Sequence, residues 1–310
     1  MTGMFVSGPV RAAGLGAVLT AAGRRTFEQS AAIALDPQHQ ARYAVYLSDM
    51  LQPYGLTPGD TGDGRGHSYG EMAQAVIAAT VPPDEPVDLL VLAFAVPDVA
   101  PGRATATYLS HVCPGRPLAF AVCDNGAATA FTGLQIIGGY LASGACRSAL
   151  LVVVEQADLH QVPMVAAPVP TMHTAVALRL TAADGARCTT EVRTADPAEV
   201  GGLLAAAVAQ LSGGPGDALL LGPLLGGLAE VPVGARVGDA GRPYTGLWWE
   251  LAGETAAGGP ARRVVLADYD PRLRVLGLAA VDVGASGTAD PTGPADSARR
   301  AGHSREQVAA

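Results

Sequence analysis

Short runs of valine, leucine and alanine recur along this chain with almost no polar residue between them. They lie at Met4 to Ser7, Asp88 to Ala95, Pro117 to Val122, Ala149 to Glu155, Thr174 to Leu180, Cys188 to Arg193, Asp217 to Leu221, Arg263 to Asp268 and Arg274 to Val283. Runs this short read as strands, and the lack of alternation marks sheets covered on both faces. Helical patterns lie between them, at Tyr69 to Ala79, Gly126 to Ser143 and Pro197 to Leu211. The last follows Asp196, a good N-cap, and starts with proline at its first position. The pattern at Gly126 to Ser143 is small or apolar on every side, so it reads as a buried core helix. Strands alternating with helices predict an α/β fold of stacked layers.

Composition narrows the function classes. The chain has 310 residues, 49% of them hydrophobic, which is enough for one large domain or two fused halves. No apolar run reaches the roughly 20 residues that a membrane span needs. In the first 25 residues Gly and Pro break the apolar stretch and the basic side chains mostly follow it, the wrong order for a secretion signal, so a cytoplasmic protein is expected. The net charge is −8 and every basic residue is arginine, with no basic stripe, which argues against nucleic acid as a partner. Cys113, Cys123, Cys146 and Cys188 form no CxxC pair, so no metal site is indicated. Residues 52–66 read as a loop-rich insertion rich in Pro, Gly and Asp. Residues 284–310 have almost no large apolar side chains and read as a disordered tail.

The order of segments resembles the ketoacyl-acyl-carrier-protein synthase III family. VDLLVLAFAVPDV (87–99) is similar to its strand leading to a Thr-Pro-Asp turn. PLAFAVCDNGAATAFTGLQIIGGYLASGACRSALLVVVEQA (117–157) is similar to its nucleophile strand, buried helix and following strand. PTMHTAVALRL (170–180), DALLLGPLLGG (217–227), GRPYTGLWWELAG (241–253) and RRVVLADYDPRLRVLGLAAVDV (262–283) fall where the later segments belong. Residues 20–66 fit poorly. The resemblance implies a thiolase fold, five-layered αβαβα with two similar halves. The halves are expected at 1–183 and 184–283.

The resemblance also implies where catalysis belongs. In this family a Cys at the start of the buried helix attacks an acyl thioester, and a His and an Asn from the second half stabilise the oxyanion. On this chain the nucleophile position falls on Gly126 or Ala127, the His position near Gly222 and the Asn position near Tyr244. The sole asparagine is Asn125, in the first half. A triad with its His and Asn in the second half cannot be assembled from these residues. The family's glycine-rich loop between the last two strands is replaced by DYDPRLR (268–274).

The remaining candidates each carry a plain alternative. Cys123 is the fallback nucleophile, although a free cysteine is more often a small buried apolar residue. Asp124 and Asn125 are pocket candidates whose ordinary role is turn formation and helix capping. His160 and His173 are candidates for a rebuilt site, and lone histidines are more often structural. His67 and His111 read as loop residues. Trp248 and Trp249 either pack the core or fill a former acyl cavity. The resemblance implies a dimer formed through the strand at Pro117, Phe120 and Val122. It points to a non-catalytic subunit with no cofactor, paired with an active synthase III-like partner in a fatty-acid, polyketide or quinolone-type pathway. Acyl carrier protein or acyl-CoA are further partners to consider. The alternatives are an acyltransferase or cyclase rebuilt around Cys123, or a homodimer that binds acyl thioesters.

Overall fold

The computed structural model describes residues 16–28, 37–55, 57, 66–98, 104–158, 168–185, 188–214, 216–228, 230–257 and 260–284. The expected strand at 4–7, most of the 52–66 insertion, His160 and all but the first residue of the expected tail lie outside them.

The chain runs β1 (Ala17–Phe27), α1 (Pro37–Leu51), α2 (Tyr69–Thr80), β2 (Leu89–Ala93), α3 (Thr105–Val112), β3 (Leu118–Val122), α4 (Thr129–Ala142), β4 (Ser148–Glu155), β5 (His173–Ala182), β6 (Cys188–Thr194), α5 (Pro197–Leu211), β7 (Ala218–Leu221), α6 (Pro223–Gly226), β8 (Arg236–Val237), α7 (Gly246–Ala256), β9 (Arg262–Asp270) and β10 (Val275–Val283). The strands form one ten-stranded sheet built from two sets with the same pattern. The first set runs β3-β2-β4-β5-β1. The second runs β8-β7-β9-β10, with β6 paired to β10. The sets join where β1 pairs in parallel with β10 at Val18–Asp282 and Leu19–Val283.

Strand periodicity explains the layering, because successive side chains point to opposite faces. Leu89, Val91 and Ala93 face a core shared with α4 and α7, whereas Leu90 and Leu92 face α2 and α3. In the other set Val264 and Leu266 face that same central core, and Ala267 and Tyr269 face α5 and α6. The layers are therefore α2/α3, sheet, α4/α7, sheet and α5/α6. The five layers expected from the sequence are present.

The central layer meets at aromatic rings. Phe131 of α4 and Trp248 of α7 are both fully buried, with ring centroids 5.0 Å apart at 64°. Gly277 of β10 lies directly against Phe131, and a Cβ there would overlap its ring. Gly277→Ala should cost about 1–3 kcal/mol through overpacking, seen as a lower denaturation midpoint. Gly277→Ala combined with Phe131→Leu should recover part of that loss.

At the far edge of the sheet, β3 pairs only with β2 among the described residues. Leu118 is 56% exposed and Phe120 and Val122 are half-buried. Among the described residues no helix is long and apolar enough to cross a membrane.

Candidate functional site

β2, β3 and β4 run parallel to one another, as do β7 and β9, and contacts of Ala127 with Asp270 and of Tyr244 with Glu155 bring the segments at their C-terminal ends together. In open α/β sheets this is where ligand-binding loops gather. The segment after β3 carries Cys123 to Ala127. Glu155 ends β4, Gly222 follows β7, and Asp268 and Asp270 end β9. Tyr244 and Thr245 lead into α7.

A 3₁₀ turn, Gly126–Ala128, precedes α4. Asp124 and Gly126 both adopt left-handed conformations, with φ of 65° and 52°. The expected capping by Asn125 does not occur: its amide donates instead to Thr132 Oγ1 at 3.0 Å, and its side chain accepts no helix N–H. The acceptor at this helix start is Asp270, whose Oδ2 takes the Ala127 N–H at 3.4 Å. Asp270 also accepts the Arg272 and Leu273 N–H groups at 3.0 Å each, which shapes the turn into β10.

The same arrangement recurs at the other two positions. At Gly222 the chain enters α6, and Asp268 Oδ1 accepts the Leu225 N–H at 3.1 Å and its neighbour Tyr269's N–H at 2.9 Å. At the start of α7, Glu155 accepts the Tyr244 N–H at 2.9 Å, the Thr245 N–H at 3.2 Å and the Thr245 hydroxyl. All three carboxylates are almost completely buried. Burial pushes Glu155 up to about 7 against the pull of its hydrogen bonds and of Arg242. Burial pushes Asp268 up to about 8, with Asp270 adding to it. Burial likewise lifts the Tyr244 phenol to about 12, and its hydroxyl donates to the Pro168 carbonyl at 3.0 Å.

Cys123 is exposed, and its thiol donates to Asp124 Oδ2 at 3.1 Å. Partial burial and then Asp124 push that thiol up to about 11, so almost no thiolate forms at neutral pH. His173 accepts the Ala157 N–H on Nδ1 at 3.4 Å. Its Nε2 lies 3.8 Å from Asp158, and its ring meets His67 edge-on at 4.8 Å. Burial, then His67, lowers its pKa. His67 stands just before α2, whereas His111 belongs to the last turn of α3 rather than to a loop. Trp248 packs in the central core. Trp249 is half-buried, with the Arg24 and Arg242 guanidiniums 4.8 Å and 4.1 Å from its ring centre. Reading the sequence alone missed Glu155, Asp268 and Asp270 as site residues. The run DYDPRLR, standing where the resemblance implies a glycine-rich loop, is the one sequence signal for these carboxylates.

The fold has many counterparts among solved structures. The tetronic acid condensing enzyme AbyA1 superposes with a TM-score of 0.58 at 16% identity, covering 86% of this chain and 99% of that one. The acyltransferase ChlB3 gives 0.55 at 16%, covering 87% and 98%. The 3-oxoacyl-(acyl carrier protein) synthase III of Pseudomonas aeruginosa gives 0.53 at 16%, covering 87% and 98%. No family model matches the sequence, and no curated protein matches it. The layers, the repeated strand order and these superpositions together show that the chain has the thiolase fold of the synthase III-type condensing enzymes.

Proposed function

We propose that this chain is a non-catalytic, synthase III-like subunit that pairs with an active synthase or acyltransferase in a specialised fatty-acid or polyketide-type pathway. One observation carries the reading. At each position where the resemblance implies a catalytic side chain, the helix start is bound to a buried carboxylate. An oxyanion needs donors aimed at it, and here the Ala127, Leu225, Tyr244 and Thr245 N–H groups already donate to carboxylates. Cys123, held as a thiol, supplies no ready nucleophile. The partner supplies the catalytic residues, and this chain supplies half of the interface.

The exposed edge of β3 supports the pairing. An apolar, unpaired strand edge is a template for another chain, and obligate contacts of this kind bury on the order of 2,000 Å² or more. A charge at Phe120 should weaken assembly by several kcal/mol if that side chain becomes buried there. Phe120 also touches the core, so Leu118→Asp is the cleaner variant, because that side chain is already exposed.

The test is co-expression with a synthase III-like protein encoded beside this one, followed by native mass measurement. A heterodimer is expected, and Leu118→Asp should abolish it while leaving the isolated chain folded. The isolated chain, incubated with acyl-CoA or acyl-carrier thioesters, should gain no acyl mass. An adduct removed by Cys123→Ser would replace this reading with a rebuilt acyltransferase. A symmetric homodimer or a monomer under all conditions would also overturn it, as would full product formation by the neighbouring synthase without this chain.

A further inference from the structure

We infer that the end of β9 is an internal plug: the carboxylates of Asp270 and Asp268 stand in the volumes that side chains at positions 126 and 222 would need, so each glycine and its aspartate form a mutually exclusive pair. This rests on reading those two glycines as the vacated positions of the site, and it explains why the site is shut.

The geometry is specific. A Cβ built on Gly126 would overlap the Asp270 carboxylate and meet Leu273 Cδ1 at 3.0 Å. A Cβ built on Gly222 would overlap all three atoms of the Asp268 carboxylate. Neither aspartate can swing aside cheaply. Asp270 is 1% exposed and holds the Ala127, Arg272 and Leu273 N–H groups. Asp268 is 3% exposed and holds those of Leu225 and Tyr269. Displacing either would leave several buried donors without acceptors, which is costly. The plug has a chemical consequence as well as a steric one. A thioester carbonyl entering here would find the Ala127 and Leu225 N–H groups already donating to Asp270 and Asp268. Restoring a cysteine at 126 alone therefore cannot restore chemistry.

The left-handed backbone at Gly126 penalises any other residue there, so the test must separate that strain from the plug. The full chain is prepared in a Cys123→Ser background as Gly126→Cys, Asp270→Gly and the double variant. The backbone penalty is common to both cysteine variants and cancels in the comparison. Strong coupling is expected. Gly126→Cys should lower Tm sharply or fail to fold, whereas adding Asp270→Gly should raise Tm by roughly 5 °C or more over Gly126→Cys alone. In the double variant iodoacetamide should label residue 126, read by intact mass and peptide mapping. Gly222→Ala with Asp268→Gly gives an independent second cycle. Additive Tm changes in both cycles would overturn the plug, as would a Gly126→Cys variant as stable as its parent and just as readily labelled. Neither result would bear on pairing with a partner, which is read from assembly mass.

Discussion

Trp248→Ala should remove a large share of the stability of this protein. The indole is 1% exposed and joins α7 to α4 through Phe131, which in turn rests on Gly277 of β10. Truncating a buried tryptophan to alanine costs about 3–5 kcal/mol through lost transfer energy and the cavity left behind. Losing the tilted aromatic pair adds about 0.5–1.5 kcal/mol. Whole domains are stable by only about 5–15 kcal/mol. Denaturant titration at neutral pH should therefore show a large fall in midpoint. Trp248→Phe should lose distinctly less, because a ring remains against Phe131. Trp249→Ala should cost far less than Trp248→Ala, because that indole is half-buried and its partners are two arginines. Equal losses at 248 and 249 would mean that the central layer is not held by the Phe131–Trp248 contact.

The tryptophan pair illustrates what sequence can and cannot reveal. The run GLWWELAG shows a helix with two adjacent indoles, and adjacent positions on a helix point in different directions. Which indole faces the core depends on the rotation of α7 against both sheets, and that is set by contacts distant in sequence. The strands were easier. At β2, β4 and β9, valine and leucine fill both faces, so each run announces itself without knowledge of its neighbours. β1 gives no such signal, because AVLTAAGRRTF carries three Ala and one Gly, which have weak strand preference, and two charged Arg. Its ladder to β5, from Ala17–Ala182 to Phe27–His173, fixes it in place. The two-residue β8 is too short for any periodicity. α5 was read with its true limits, because Asp196 and Pro197 mark its start in local sequence and Glu199 completes the capping box.

The positions that the resemblance implies for the candidate site are legible in the sequence, whereas the carboxylates that meet there are not. Gly126, Gly222 and the single asparagine could be read directly. The carboxylates could not, because Asp270 lies 144 residues from Gly126 by their numbers and Glu155 lies 89 from Tyr244. A glycine whose missing side chain is replaced by a distant carboxylate looks, in sequence, like any other glycine. The departure at 268–274 was visible, but its meaning required knowing that β9 ends against the starts of α4 and α6.

The buried carboxylates should make this protein more stable in mild acid than in mild base. Asp268 is raised from an ordinary 3.8 to about 8 and Glu155 from 4.5 to about 7. A carboxyl raised on folding binds its proton more tightly in the folded state than in the unfolded one. Stability then falls as pH rises from the unfolded value to the folded value, and is flat outside that window. For Glu155 the window runs from about 4.5 to about 7, and for Asp268 from about 4 to about 8. Each titrating group contributes a slope of up to about 1.4 kcal/mol per pH unit. His173 works the other way: its lowered pKa means that stability is lost when acid protonates it, near and below its ordinary 6.5. The cleanest range is therefore pH 6.5–8, where Asp268 acts throughout, Glu155 acts at the lower end and His173 has already lost its proton. Across that range stability should fall on the order of 2 kcal/mol, seen as a falling Tm. Asp268→Asn keeps an acceptor for the Leu225 and Tyr269 N–H groups and carries no charge, so it should flatten most of the slope. A Tm that rises from pH 6.5 to 8, or an unchanged slope in Asp268→Asn, would show that these carboxylates do not hold their protons in the folded state.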